Sequence, residues 1–167
     1  MLDIALVTNA VRDRRIRVRA LASDEHVAIV APGHPLASRR FITPAELAEQ
    51  DLLLYSASVE DSFTVRRILR PAGVRPARVR FVQLTEAIVE MVKAGLGVSV
   101  MPMWSIRSAV VERKIAAVRI TPSGIHRVWH AATLRQSKEP AFIHPFLDMV
   151  DEALRALSPP KTGRRKR

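Results

Sequence analysis

The side chains that could do chemistry in this sequence are few, and they are mostly hydroxyls and histidines. Ser56-Ala57-Ser58-Val59-Glu60-Asp61-Ser62 crowds three hydroxyls and two carboxylates into one stretch. A helix carrying Val65, Ile68 and Leu69 at i, i+3, i+4 follows it, so its first amides could meet an anion. The same residues would equally serve as a cap, with Ser58 or Asp61 closing the helix start. Glu60 and Asp61 could be drawn as paired acid and base, but adjacent residues rarely converge on one bond. His126 and His130 would share a zinc ion if they were helical. Their surroundings instead alternate as a strand, which separates them by roughly 13 Å at about 3.3 Å per residue. His34 has no evident acid or nucleophile beside it, and His144 adjoins Pro145, so structural roles suit both. The sequence has no Gly-x-Ser-x-Gly elbow and no phosphate loop, and Gly95-x-Gly97 follows a helix where a dinucleotide motif would precede one. These residues predict neither an enzyme nor a metal or cofactor site.

The elements that would position these groups are easier to read. Leu84–Trp104 is the organising stretch: Thr85 caps a helix with Ile88, Met91 and Val92 on one face, and Gly95 supplies the left-handed stop. Gly97-Val98-Ser99-Val100-Met101 then reads as a buried strand closed by Pro102. Such αβ units build sheets covered by helices, with ligands at the carboxyl ends of the strands. Leu2–Val7 is a strand of the same kind, followed by Thr8 and Asn9, which either meet a ligand or form a turn. Val18–Ala22 is a weaker strand, Ser23–His26 a polar break, and Val27–Ala31 a buried strand. Thr43-Pro44-Ala45-Glu46 is a capping box with proline at the first helical position. Leu52–Tyr55 is a buried strand, Pro71-Ala72-Gly73 a helix end, and Arg78–Gln83 a half-exposed strand. A helix from about Met103 through Val110, a strand Ala117–Ile120, a turn Thr121–Gly124 and a strand His126–Leu134 follow. Phe142, Ile143, Phe146, Leu147, Val150, Leu154 and Leu157 line one side of a closing helix.

Composition sets the outer limits. The 167 residues are 48% hydrophobic, enough for a real core, and no apolar run approaches a membrane span. The opening residues lack a secretory leader. Without cysteine there is no disulfide and no thiolate chemistry, which suits a cytoplasmic protein. The net charge of +11 suggests nucleic acid until its location is examined. Five positives sit in the terminal Lys161–Arg167, a tail expected to be disordered, either a solubilising extension or a weak phosphate contact. Arg12, Arg14, Arg15, Arg17 and Arg19 read as a solvated strand face, and aromatics do not interleave with them as a base-stacking platform requires.

Read together, Leu2-Asp3-Ile4-Ala5-Leu6, His34-Pro35-Leu36-Ala37, Pro71-Ala72-Gly73 and Val92-Lys93-Ala94-Gly95-Leu96-Gly97-Val98 with Met101-Pro102 resemble the effector-binding domain of LysR-type transcriptional regulators. The likeness spans residues 1 to about 157. Leu84-Thr85-Glu86-Ala87-Ile88, Met103-Trp104 and Trp129-His130-Ala131-Ala132 look most like the branch related to MetR.

The resemblance implies an α/β fold of periplasmic-binding-protein type II, with two lobes joined by two crossing segments and a small effector between them. Residues 26–121 would form the second lobe, 1–25 and 122–157 an incomplete first lobe, and 158–167 the tail. The effector contacts it implies are Thr8, Asn9, Asp24, Ser56, Ser58, Glu60 and Ser62, with Thr85 a looser candidate. It also implies an amino acid or sulfur metabolite as effector, no cofactor, no membrane, and a homo-oligomer in the full-length form. DNA would be reached only through an N-terminal winged helix-turn-helix. That domain does not precede Leu2, so the chain reads as an N-terminally truncated regulator. A stand-alone solute-binding or protein-interaction module of the same fold is the alternative reading, and an uncharacterised enzyme the third.

Overall fold

A computed structural model describes residues 3–8, 12–135 and 140–157; Asn9 and the basic tail lie outside them. The chain divides into two compact units, Met1–Asp24 with His126–Arg167, and Glu25–Ile125.

Unit 2 is built on a sheet. Its strands are β2 (Ile16–Val30, of which the last residues belong here), β3 (Phe41–Ile42), β4 (Asp51–Leu54), β5 (Arg78–Phe81), β6 (Val98–Pro102) and β7 (Ala116–Ile120). They lie in the order β5-β4-β6-β2-β7-β3. β4 runs parallel to β5 and β6, with Leu54 opposite Phe81 and Leu53 opposite Ser99. β2 is antiparallel to both β6 and β7, with Ala28 opposite Val100 and Val118. Alternate residues of each strand enter different cores, as a two-fold pleat requires. Ala28, Val30, Leu52, Leu54, Val98 and Val100 face one cluster, while Val27, Ile29, Leu53 and Met101 face the other. Burial on both faces explains why these strands read as continuous apolar runs.

Helices cover the two faces. α1 (Pro44–Ala48) starts with the capping box: Thr43 Oγ1 accepts from the Glu46 amide at 3.2 Å, and Glu46 Oε2 accepts from the Thr43 amide at 2.8 Å. α2 (Thr85–Lys93) buries Ile88 and Val92 and stops at Gly95, whose φ is 73°. The Leu96 amide then donates to the Met91 carbonyl at 3.0 Å, closing the helix end. Thr85 is not the cap it was expected to be. Leu84 holds that position without a side-chain hydrogen bond, and Thr85 is the first helical residue. α3 (Met103–Val111) follows β6 directly.

The expected break at Ser23–His26 is absent, because β2 continues through it from Ile16 to Val30. The polar side chains there are not solvated. Asp24, Glu25 and His26 are 2%, 8% and 3% exposed, and a strand paired on its flanks can carry them where partners exist. Of the early arginines, Arg17 and Arg19 lie on β2, whereas Arg12, Arg14 and Arg15 precede it.

Unit 1 contains β1 (Ile4–Val7), the first part of β2, β8 (Ile125–Leu134, from His126 onward) and α4 (Ile143–Leu157). β1 and β8 pair antiparallel with Leu6 opposite Ala131, and β8 neighbours β2. Leu21, Ala131, Ile143 and Leu147 form the core, with Ile4, Trp129, Val150 and Leu154 packed on it. The apolar side expected of α4 is thus only partly correct. Phe142, Phe146 and Leu157 are exposed, because the helix turns Ile143 and Leu147 inward.

Candidate functional site

Sheet topology decides which of the candidate residues meet. β4, β5 and β6 are parallel, so the segments after Leu54, Phe81 and Pro102 emerge at one end of the unit 2 sheet. β2 runs the other way, so its unit 2 portion begins there, with His26 opposite Pro102. The stretch Ser56–Ser62, the start of α2 at Thr85 and the residues Glu25 and His26 therefore gather at the same end.

Within that end, the stretch after β4 is tied to itself. Ser56 Oγ donates to the Ser58 carbonyl at 2.8 Å, and Ser58 Oγ donates to Asp61 Oδ2 at 2.8 Å while accepting from the Asp61 amide at 3.1 Å. Ser58 and Asp61 thus cap each other. The following turns, Val65–Leu69 and Arg70–Ala72, are a wide and then a tight helical turn, ended by Gly73 with φ 71°. Ser62 is 2% exposed, Glu60 is exposed, and Thr85 is half-buried. The loop is anchored by His26, whose imidazole stacks on Phe63 with centroids 4.0 Å apart. Sequence reading missed His26 and Phe63; an aromatic flanked by the hydroxyls Ser62 and Thr64 was the available signal.

Unit 1 holds the remaining candidates. Thr8 directly follows β1, where Val7 pairs with His130, whose buried Nδ1 has no hydrogen-bond partner among the described residues. Asp24 lies on β2 near Arg127. Burial pushes the Arg127 guanidinium below its ordinary value, while the charge of Asp24 acts in the opposite direction. Arg127 also lies over the Trp129 ring, 5.1 Å from its centroid. Asn9 is outside the described residues. His126 and His130 stand on a strand, and among the described residues no three His, Cys, Asp or Glu side chains are grouped to hold a metal.

The chain's sequence is matched by the profile of the LysR substrate binding domain over residues 1–155. It belongs to that family. It is 30% identical over 152 residues to the HTH-type transcriptional regulator MetR of Salmonella typhimurium, covering 88% of this chain and 47% of that protein. The transcriptional regulator CfxR of Cupriavidus necator is 23% identical over 137 residues, covering 82% and 43%. The chain therefore spans about half the length of the curated relatives it matches. Among solved structures, the regulatory domain of MetR from N. meningitidis, a LysR family regulator, superposes with a TM-score of 0.82 at 26% identity, covering 94% of this chain and 72% of that one. The resemblance to the MetR branch is met by relatives of that name. The LysR effector-binding domain has a fold of periplasmic-binding-protein type II kind, and this chain shares it.

Proposed function

We propose that this LysR-family chain is the effector-sensing part of a transcriptional regulator and returns its small-molecule ligand unchanged. The family match over residues 1–155 carries the reading, and the hydroxyl-rich sheet end of unit 2 gives it residues. Ser56, Ser58, Ser62 and Thr85 of unit 2 are assigned to the effector, with the exposed Glu60 at its rim, and Thr8, Asn9 and Asp24 are carried as candidates within unit 1. Their mixture of hydroxyls and a carboxylate suits an amino acid or a related sulfur metabolite. In the whole regulator, DNA would be read by a separate helix-turn-helix, the feature carried in its relatives' names. The regulator would act in the cytoplasm as a homo-oligomer. An effector that favours one conformation would shift the population and so alter the DNA complex.

Scanning fluorimetry of the chain against amino acids and sulfur metabolites tests this, with mass spectrometry of the recovered ligand. One compound should stabilise the fold and return intact, at about 2.7 kcal/mol when present at 100 times its Kd. Ser58→Ala and Thr85→Ala should each weaken it by at least about fivefold. Conversion of the ligand would replace the sensor reading with an enzyme. Binding indifferent to both substitutions would move the effector site elsewhere.

A further inference from the structure

Unit 2 has a concavity away from the hydroxyl-rich loop. A cavity of about 160 Å³ is lined by Arg40, Phe41, Arg119 and Pro122. Its construction follows from the sheet edge: β3 and β7 pair parallel with Phe41 opposite Arg119, and the Thr121 amide donates to the Ile42 carbonyl at 2.8 Å. Thr121 takes a left-handed conformation, φ 62°, at the turn into Pro122. In the strand order, β6 and β2 stand between β4 and β7. Three spacings of about 4.8 Å separate the β4 and β7 strands by roughly 14 Å, so this pocket is not the Ser56–Ser62 site.

The two arginines differ in state. Arg119 is engaged by Glu25 through a fork, Nε to Oε1 at 2.8 Å and Nη2 to Oε2 at 3.2 Å, with the Glu25 side chain only 10% exposed. Arg40 is exposed and has no carboxylate partner among the described residues. The pocket therefore presents one uncommitted guanidinium, one held by a carboxylate that a ligand could rival, and two apolar walls. An inorganic anion would gain nothing from Phe41 and Pro122. A carboxylate with a short apolar body would use both, the head on Arg40 and the body against the ring.

We propose that Arg40, Phe41, Arg119 and Pro122 form a second binding site, for a small organic carboxylate. Glu25, which the fork ties to Arg119, is the first residue of unit 2, directly after Asp24. A carboxylate drawn to Arg119 would loosen the Glu25 fork at that point, which gives the site a means of influencing the sensor.

Amide chemical-shift titration of the full chain with butyrate, acetate and inorganic phosphate tests the site. Butyrate should move the amides of Phe41, Ile42 and Arg119 to Thr121. Acetate should bind several-fold more weakly, since it lacks two buried methylenes, and phosphate should move none of these amides selectively. Arg40→Gln should weaken butyrate about tenfold, the scale of one charge-assisted hydrogen bond. Glu25→Gln should tighten it severalfold by releasing Arg119. Butyrate shifts unchanged in both variants, or confined to Ser56–Thr64 and Thr85, overturn the proposal; the latter pattern would leave the effector assignment standing.

Discussion

The imidazole of His26 lies on the ring of Phe63, with centroids 4.0 Å apart and planes inclined by 24°. The contact joins a strand shared by both units to the loop that carries the hydroxyls. Stacked aromatic pairs contribute about 0.5–1.5 kcal/mol beyond the area they bury, and Phe63 sits beside the buried Ser62 and Thr64.

Phe63→Ala should therefore destabilise the fold by about 2–3 kcal/mol, less than a fully buried phenylalanine would. It should also speed amide hydrogen exchange across Ser58–Thr64 more than in α1 or α2. Chemical denaturation and exchange mass spectrometry read the two effects separately. Uniform loss of protection would mean that the stack supports the whole unit and not this loop.

A glycine position gives a second prediction. A Cβ on Gly97 would stand 2.6 Å from the Asp51 carbonyl oxygen and 3.1–3.2 Å from the Leu53 side chain. The Leu53 tip could yield, but the Asp51 carbonyl belongs to a backbone fixed by the pairing of Leu52 with Val98. Gly97→Ala should cost about 1–3 kcal/mol in urea denaturation, the range of overpacking in a close-packed interior. By contrast, Gly33→Ala meets open space and should stay within about 0.5 kcal/mol.

The sequence made the αβ unit of Leu84–Trp104 and the box at Thr43–Glu46 legible because their signals are local: a glycine after an apolar face, a threonine three residues before a glutamate. Two features could not be read that way. Ser23–His26 looked like a break because polarity usually marks a turn, yet Asp24, Glu25 and His26 are buried, and Glu25 and His26 meet partners far away in sequence, Arg119 and Phe63. Helical periodicity left the buried face of α4 open to misreading: Phe142, Phe146 and Leu157, read onto one side with Ile143 and Leu147, belong with Met149 to a second, exposed apolar stripe beside the first. Which stripe turns inward depends on Leu21 and Ala131, which helical periodicity does not contain. At the candidate site, the hydroxyl cluster was visible, whereas its anchoring by His26 required the antiparallel pairing of β2 with β6.

That ambiguity in α4 is open to a direct comparison. Leu147 is 3% exposed and packs with Leu21, Ala131 and Ile143, while Phe146 is 40% exposed. Leu147→Ala should cost about 2–4 kcal/mol, and Phe146→Ala less than about 1 kcal/mol despite removing more atoms. Urea denaturation of the two variants checks the ranking. The reverse order would place the helix in another rotation.

The capping box makes a pH-dependent contribution that can be isolated. The Thr43 amide, then the Thr43 hydroxyl, donate to the Glu46 carboxylate, and with the charge of Arg39 they hold its pKa below the ordinary glutamate value. A carboxyl whose pKa is lower folded than unfolded adds stability that is fully present above the unfolded value, about 4.3, and disappears as pH falls through the folded one. Asp13, at about 2, Asp51 and Glu90 shift in the same direction beside Arg15, Arg78 and Lys93, so the acid limb of the wild-type curve sums several groups. Glu46→Gln separates one of them, since an amide oxygen still accepts from the Thr43 amide but does not titrate. Near neutral pH the variant should lie below wild type, by no more than about 0.5 kcal/mol, because it keeps the main hydrogen bond but lacks the charge that strengthens it. Between about pH 5 and pH 3 its melting temperature should fall less steeply than the wild-type one, so the two curves converge on the acid side. Parallel curves over that interval would remove Glu46 from the acid response and leave its role at the start of α1 purely one of hydrogen-bond geometry.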